Sequence, residues 1–202
     1  MKSGFSLTSA AVAALLCSFP SFASEWYFSL EPGRSKADLS DYKILVDNAT
    51  ERPDLRKTRD DDLALGFTVG RRFWGFLGTE MGFSDFGDYE LSTSLNNGFV
   101  EFSSDASGVL AGLDLRSPEW RSFALFAKAG VFKWDIKAES RVRQGNTETV
   151  TSLDDQGTDR YYGVGLAYRV SRVGYIDFSY RKFSLGDALD IDLFSVGLAV
   201  AY

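Results

Sequence analysis

Strict two-residue alternation over the last nine positions limits what this chain can fold into more than any other feature. Phe194, Val196, Leu198, Val200 and Tyr202 are bulky and apolar, and only Ser195, Gly197, Ala199 and Ala201 stand between them. Successive side chains on a strand point to opposite faces, so one face here is wide and greasy and the other nearly empty. Such a strand fits a wall with hydrocarbon on the bulky side and a narrow polar lumen on the other.

The same period recurs along the chain, and no segment carries a 3.6-residue apolar period with caps at both ends. Trp26, Phe28 and Leu30 oppose Tyr27, Ser29 and Glu31 in a first strand. Leu63, Leu65, Phe67 and Val69 oppose Ala64, Gly66, Thr68 and Gly70. Leu77, Thr79, Met81 and Phe83 oppose Gly78, Glu80, Gly82 and Ser84. Val109, Ala111, Leu113 and Leu115 oppose Leu110, Gly112 and Asp114. In a fifth strand Phe123, Leu125, Ala127, Ala129 and Val131 oppose Phe126, Lys128 and Gly130. Its parity becomes ambiguous from Phe132 to Ile136, where a bulge is expected. Tyr162 to Val170 and Ile176 to Tyr180 supply two more strands. With the C-terminal strand the count is eight, and bacterial barrels require an even number.

The charges decide which face is inside. Glu31, Glu80, Asp114, Lys128, Arg169, Asp177 and Arg181 all fall on the face that carries Gly, Ala, Ser and Thr. A dry soluble core would demand the reverse. A charge turned to lipid at midplane costs roughly 2–4 kcal/mol, whereas both signs in a lumen can pair. The expected fold is therefore an all-β, eight-stranded antiparallel up-and-down transmembrane β-barrel. Its expected lumen charge cluster is Glu80, Asp114, Lys128, Arg169, Asp177 and Arg181.

Connections alternate in length. Short ones lie at Arg72 to Gly75, Ser117 to Arg121 and Ser171 to Gly174, and long ones at Lys36 to Asp62, Phe86 to Asp105 and Lys137 to Asp159. Tight turns belong in the periplasm and long loops outside. Asn96-Asn97-Gly98 reads as a hairpin tip, so the third and fourth strands are expected to project beyond the bilayer. Aromatics sit near both strand ends. Trp26, Phe73, Trp74, Phe76, Trp120, Phe123, Tyr175 and Tyr202 flank the short turns, and Phe86, Tyr89, Trp134, Tyr161 and Phe183 flank the long loops. Two interfacial belts are expected from them. A weak repeat appears on shifting Leu65–Asp88 by 99 residues, which matches Gly66, Gly75, Gly87 and Asp88 with Gly165, Gly174, Gly186 and Asp187. It reads as a repeated hairpin.

The N-terminus fits export. Lys2 precedes a short apolar run from Leu7 to Phe19, and Ser21-Phe22-Ala23 places small residues at −3 and −1 of a cleavage site. Residues 1–23 are expected to be a signal peptide removed after Ala23, leaving 24–202 as one outer-membrane barrel domain. Cys17 is the single cysteine and lies inside that peptide. Leu16 before it does not resemble a lipoprotein signal, and the exported chain would carry no disulfide.

At this point the chain resembles the OmpA-like family of small eight-stranded outer-membrane barrels. The residues carrying the resemblance are Trp26 to Leu30, Leu65 to Phe73, Leu77 to Phe83, Lys128 to Val131, Gly163 to Arg169 and Ser195 to Leu198. The resemblance implies a monomeric barrel in the bacterial outer membrane, surrounded by lipid and lipopolysaccharide. It implies insertion by the barrel-assembly machinery through the strand ending at Tyr202, although the family usually ends in Phe. Many members continue into a peptidoglycan-binding domain, and no motif here carries that role over. The family's lumen often holds an acidic–basic cluster, and Glu80, Lys128 and Arg181 occupy positions that look like it.

Composition removes several functions. The formal charge is −6, which argues against nucleic acid as a partner. There is no histidine, which removes Ser-His and Cys-His nucleophiles and the usual zinc sites. Outer-membrane barrel enzymes resemble one another in needing a histidine base, so no enzymatic activity and no cofactor are expected. Glu80, Asp114 and Asp177 read as lumen polar groups before they read as an acid–base pair. Asp60-Asp61-Asp62 and Asp154-Asp155 read as solvated charge before they read as a divalent-cation site. Arg52, Arg56, Lys57 and Arg59, with Arg141 and Arg143, are candidate loop contacts to lipopolysaccharide phosphate. The expected role is structural or surface interaction. A small pore is the alternative, obstructed by Phe126, Lys128, Arg169 and Arg181, and a soluble lipocalin-like carrier stands third.

Overall fold

The computed structural model describes residues 25–38, 57–73, 75–95, 98–144, 147–186 and 189–202. The expected cleavage at Ala23, Arg52, Arg56, Trp74 and the Asn96-Asn97 tip lie outside these residues. The described chain is all strand: β1 (Glu25–Ala37), β2 (Lys57–Arg59), β3 (Asp61–Phe73), β4 (Leu77–Leu95), β5 (Gly98–Arg116), β6 (Phe123–Gln144), β7 (Thr147–Arg169), β8 (Gly174–Leu185) and β9 (Leu189–Ala201).

Eight of these close a barrel in chain order, each antiparallel to its neighbours, with β9 returning to β1. The three-residue β2 is not part of that ring. It lies beside β4 at Ser92–Glu90, continuing the wall beyond the end of β3. At the closing seam the Trp26 N–H donates to the Tyr202 carbonyl at 2.8 Å and the Tyr202 N–H returns the bond at 2.7 Å. The β1–β9 register runs from Tyr27↔Ala201 to Leu30↔Leu198 and resumes at Gly33↔Ser195. Pro32 sits in that gap, where its missing N–H removes a ladder bond to β9 without shifting the register.

Burial confirms the expected orientation. Phe28, Leu65, Val109, Leu125, Val164 and Leu198 are exposed on the outer wall, while Glu31, Glu80, Lys128 and Arg181 are buried inside. In water such a wall would be a large apolar patch; in a bilayer it is the required surface. The band ends toward the long hairpins at outward-facing Arg34, Asp85, Lys133, Arg160, Lys182 and Asp192. This outer wall excludes the soluble-carrier reading.

Three expectations need correction. The segment Lys137–Asp159 is a hairpin arm and not a loop, with β6 and β7 paired up to Gln144↔Thr147; β4 and β5, whose projection was expected, pair up to Leu95↔Gly98. In the far part of the β6–β7 arm both faces are exposed, so the apolar alternation that marks a strand disappears although the ladder continues. No bulge occurs at Phe132–Ile136, where the β5–β6 and β6–β7 registers run unbroken. The irregularity lies in β4 between Asp85 and Asp88, with Gly87 at φ 76°. A left-handed residue is available to glycine without a Cβ penalty. The bulge keeps both Phe86 and, beyond it, Tyr89 pointing inward.

The aromatic belts also differ. Trp26, Phe76, Trp120, Phe123 and Tyr202 are exposed around the short turns, as a belt demands. Tyr175 instead points into the lumen, and so do all five residues expected at the other edge: Phe86, Tyr89, Trp134, Tyr161 and Phe183. Nearness to a loop fixes a residue's height in the wall; only parity fixes its face.

Candidate functional site

The lumen is built in three layers. The middle layer is a lattice of opposite charges. The Lys128 ammonium donates to Glu80 Oε2 at 2.6 Å, the Tyr27 hydroxyl donates to the same oxygen at 3.1 Å, and the Tyr161 hydroxyl donates to Glu80 Oε1 at 2.8 Å. The Arg181 guanidinium donates to Glu31 Oε2. Lys128 Nζ lies 4.0 Å from Glu31 Oε1, which joins the two pairs. Two carboxylates and two cations balance, so the lattice meets the requirement for burying charge away from water.

Register explains how long side chains fit there. Glu80 pairs with Gly70 on one side and Gly112 on the other. Lys128 and Arg181 both pair with Gly163 across their strands, and Glu31 pairs with Gly66. The empty face read in the sequence is the space these charges occupy. At Gly112 an added Cβ would meet the Tyr161 hydroxyl at 2.3 Å.

Nearer the short turns is a second charged layer. Arg72 binds Asp114 Oδ2 through Nη2 at 3.1 Å and Glu25 Oε2 through Nη1 at 2.9 Å. Arg116 faces Asp177 at 3.7 Å and lies over the Tyr175 ring at 5.1 Å. Asp114 and Asp177 are therefore lumen residues, as expected, with partners the sequence reading did not name. Arg169 is corrected: it is exposed at the rim and paired with Glu119. Arg72 and Arg116 were hidden by their position next to turns, although each keeps the inward parity of its strand.

The third layer, toward the long hairpins, is apolar. Phe86, Phe132 and Phe183 form a triangle of edge-on rings with centroids 4.9–5.6 Å apart. Leu110, Leu185, Ile191 and Leu193 pack into the same buried cluster. Tyr161 links the layers, its ring stacked on Phe183 at 5.5 Å and its hydroxyl on Glu80. Hydrocarbon and ion pairs together fill the bore, as an eight-stranded interior allows. No solvated carboxylate pair is left in the middle layer for proton transfer.

The first acidic run has local partners, and in the second Asp155 accepts the Gln156 N–H at 2.8 Å. Asp61 pairs with Arg34, and Asp62 binds Arg59 at 2.6 Å and accepts the Asp88 N–H at 2.8 Å. That backbone bond, with Arg59 adding to it, holds the Asp62 carboxyl below the usual range. Asp159 accepts the Trp134 indole N–H at 2.8 Å and the Gly186 N–H at 2.9 Å, which lowers its carboxyl likewise. Among the candidate loop cations, Arg59 is spent on Asp62 and Arg141 on Glu139 and Glu148. Arg143 is exposed on the β6 arm, and Lys57 is placed by its backbone in β2.

Residues 22–193 match the sequence family described as OmpA-like transmembrane domain. The chain belongs to that family. Its OmpA-like barrel resides in the bacterial outer membrane. Among solved structures it is similar to Ail, the attachment invasion locus protein of Yersinia pestis, in complex with the heparin analogue sucrose octasulfate. That likeness has 16% identity and a TM-score of 0.54, covering 90% of this chain and 100% of that one. A second structure of Ail gives 17% identity and a TM-score of 0.50 over the same shares. Neisserial surface protein A gives 12% identity and a TM-score of 0.48, covering 87% of this chain and 96% of that one. No curated protein sequence matches. In this OmpA-like orientation the short turns and the Trp26–Tyr202 seam end face the periplasm and the long hairpins face outside.

Proposed function

We propose that this protein is a closed, non-catalytic outer-membrane barrel with a structural role, gripping the anionic headgroups of lipopolysaccharide at its outer boundary. The observation that carries this reading is the filled lumen: a triangle of three phenylalanines stacked on a four-membered ion-pair lattice. A bore so blocked suits a structural wall in the membrane before it suits a conduit.

The headgroup contact is supported by the outer wall more than by the loops. Lys133, Arg160 and Lys182 lie outward on the adjacent strands β6, β7 and β8, one step above the greasy band. Val131 pairs with Arg160 and Tyr162 with Lys182, so the three cations form a diagonal row at one height. Lys182 is shared with Asp190 at 2.8 Å, which raises its ammonium above the usual range through that hydrogen bond. Among the described residues Lys133 and Arg160 form no ion pair. Juxtamembrane cations attract anionic headgroups by about 1 kcal/mol each.

Purified protein in planar bilayers is expected to pass no steady current. Its unfolding temperature is expected to rise with lipopolysaccharide in the bilayer, and to rise less for Lys133→Gln/Arg160→Gln. Steady conduction overturns the closed-barrel reading, and an equal rise in the double variant overturns the headgroup contact.

A further inference from the structure

Above the phenylalanine triangle the long hairpins enclose a small cup that the structural role does not use. We infer that this cup is a binding site for a small one-ring molecule carrying a cationic amine. Its volume is about 130 Å³. Tyr89, Phe102, Trp134, Ile136, Leu153 and Leu189 supply an aromatic and aliphatic lining drawn from β4, β5, β6, β7 and β9. A dry cavity of comparable size, roughly 150 Å³, accommodates a single benzene ring, whereas drug-sized ligands need several hundred Å³.

The wall is fixed before any ligand arrives. The Trp134 indole is held by its N–H bond to Asp159 Oδ2 at 2.8 Å, and the same oxygen takes the Gly186 N–H at 2.9 Å. Tyr89 is buried to 1% exposure behind the β4 bulge. A rigid aromatic wall loses little freedom on binding.

Charge sets the ligand's polar end. Ser104 and Asp155 are the polar members of the lining, and none of the lining residues is basic. Asp155 is exposed on the inward face of β7 at the upper edge, one carboxylate oxygen accepting the Gln156 N–H at 2.8 Å. Its second oxygen is available to an ammonium, and the indole face of Trp134 favours the same charge. An anion would meet Asp155 with no counter-charge in the cup. Ring below and ammonium above is the arrangement these residues select.

Titration calorimetry on the protein in lipid nanodiscs, against empty nanodiscs, tests this with phenethylamine as probe and phenylacetate as its anionic counterpart. Phenethylamine is expected to bind and phenylacetate not. Asp155→Asn is expected to weaken phenethylamine by about threefold, the range of an exposed ion pair. Ala138→Trp, which fills the cup from β6, is expected to abolish binding while the barrel still shifts on unboiled gels. Should Ala138→Trp fail to fold, Asp155→Asn decides alone. Absence of phenethylamine binding, equal binding of phenylacetate, unchanged affinity in Asp155→Asn, or retained binding in folded Ala138→Trp overturns the site. None of these results bears on the conductance or headgroup tests.

Discussion

Glu31 on β1 and Arg181 on β8 are 150 residues apart in sequence and form a direct hydrogen-bonded ion pair in the centre of the barrel. Neither is next to the other's strand, since β9 runs between them, so the bond spans the lumen wall through the space over Gly197. Removing Arg181 leaves the buried Glu31 carboxylate with only Lys128, 4.0 Å away and already bound to Glu80, which costs about 3–5 kcal/mol. Arg181→Met is expected to lower stability by that amount in urea unfolding from lipid vesicles. Adding Glu31→Leu is expected to recover most of it, because an apolar pair replaces the whole interaction. No recovery in the double variant would refute the pairing.

Phe132 is fully buried among Phe86, Phe183 and their neighbours. Phe132→Ala removes a ring from a packed layer and is expected to cost about 3–5 kcal/mol. It is expected to leave planar bilayers non-conducting, since the Glu80–Lys128 and Glu31–Arg181 layer below it stays intact. The paired measurement of unfolding and conductance separates packing from occlusion.

Gly87 holds the β4 bulge at φ 76°, and an added Cβ would lie 2.6 Å from both Asp62 Oδ2 and the Leu63 carbonyl. Gly87→Ala is expected to cost at least the roughly 1–2 kcal/mol of a left-handed L-residue. It is also expected to break the Asp88 N–H bond to Asp62. Faster hydrogen exchange at Asp88, with the Gly112 amide unchanged, is the readout.

Asp159 sits outside the membrane band with its carboxyl held below the usual range, chiefly by the Trp134 indole N–H. A depressed carboxyl contributes stability that is complete above the unfolded value, about pH 3.9 for aspartate. That contribution is lost as pH falls through the lower folded value. Exchange of the Trp134 indole proton and the Gly186 amide, corrected for intrinsic rates, is therefore expected to be flat from pH 7 to about 5 and to rise only in stronger acid. In Asp159→Asn the acid rise is expected to vanish. A rise beginning near neutrality would contradict the hydrogen-bond assignment.

The membrane-spanning part of this fold was legible because lipid and lumen impose opposite rules on alternate residues. Leu63 to Val69 and Phe194 to Tyr202 could be read from polarity alone, and the inward face of Glu31, Glu80, Lys128 and Arg181 followed. The β6–β7 arm was not legible, since water on both faces removes the contrast between Lys137 and Ala138 or between Ser152 and Leu153. The phenylalanine layer was legible in principle: Phe132 and Trp134 keep the parity of Lys128, and Phe183 keeps that of Arg181. Nearness to the loops gives the height of these rings and not their face, which the unbroken register through Phe132 to Ile136 supplies. Phe86 keeps the parity of Glu80 and Ser84, whereas Tyr89 could not be placed from parity, because the bulge before it resets the alternation. Arg169 keeps inward parity but stands at the rim, where a long side chain reaches Glu119 in solvent instead of the interior.

The reciprocal bonds between Trp26 and Tyr202 complete the last of eight seams. Until they form, β1 and β9 each present a row of amide groups to hydrocarbon, which offers them no partner. A partly curled sheet therefore has no comfortable resting point inside the bilayer. Insertion and closure of this chain must proceed as one event, and whatever escorts it there has to shield those two margins together until they meet.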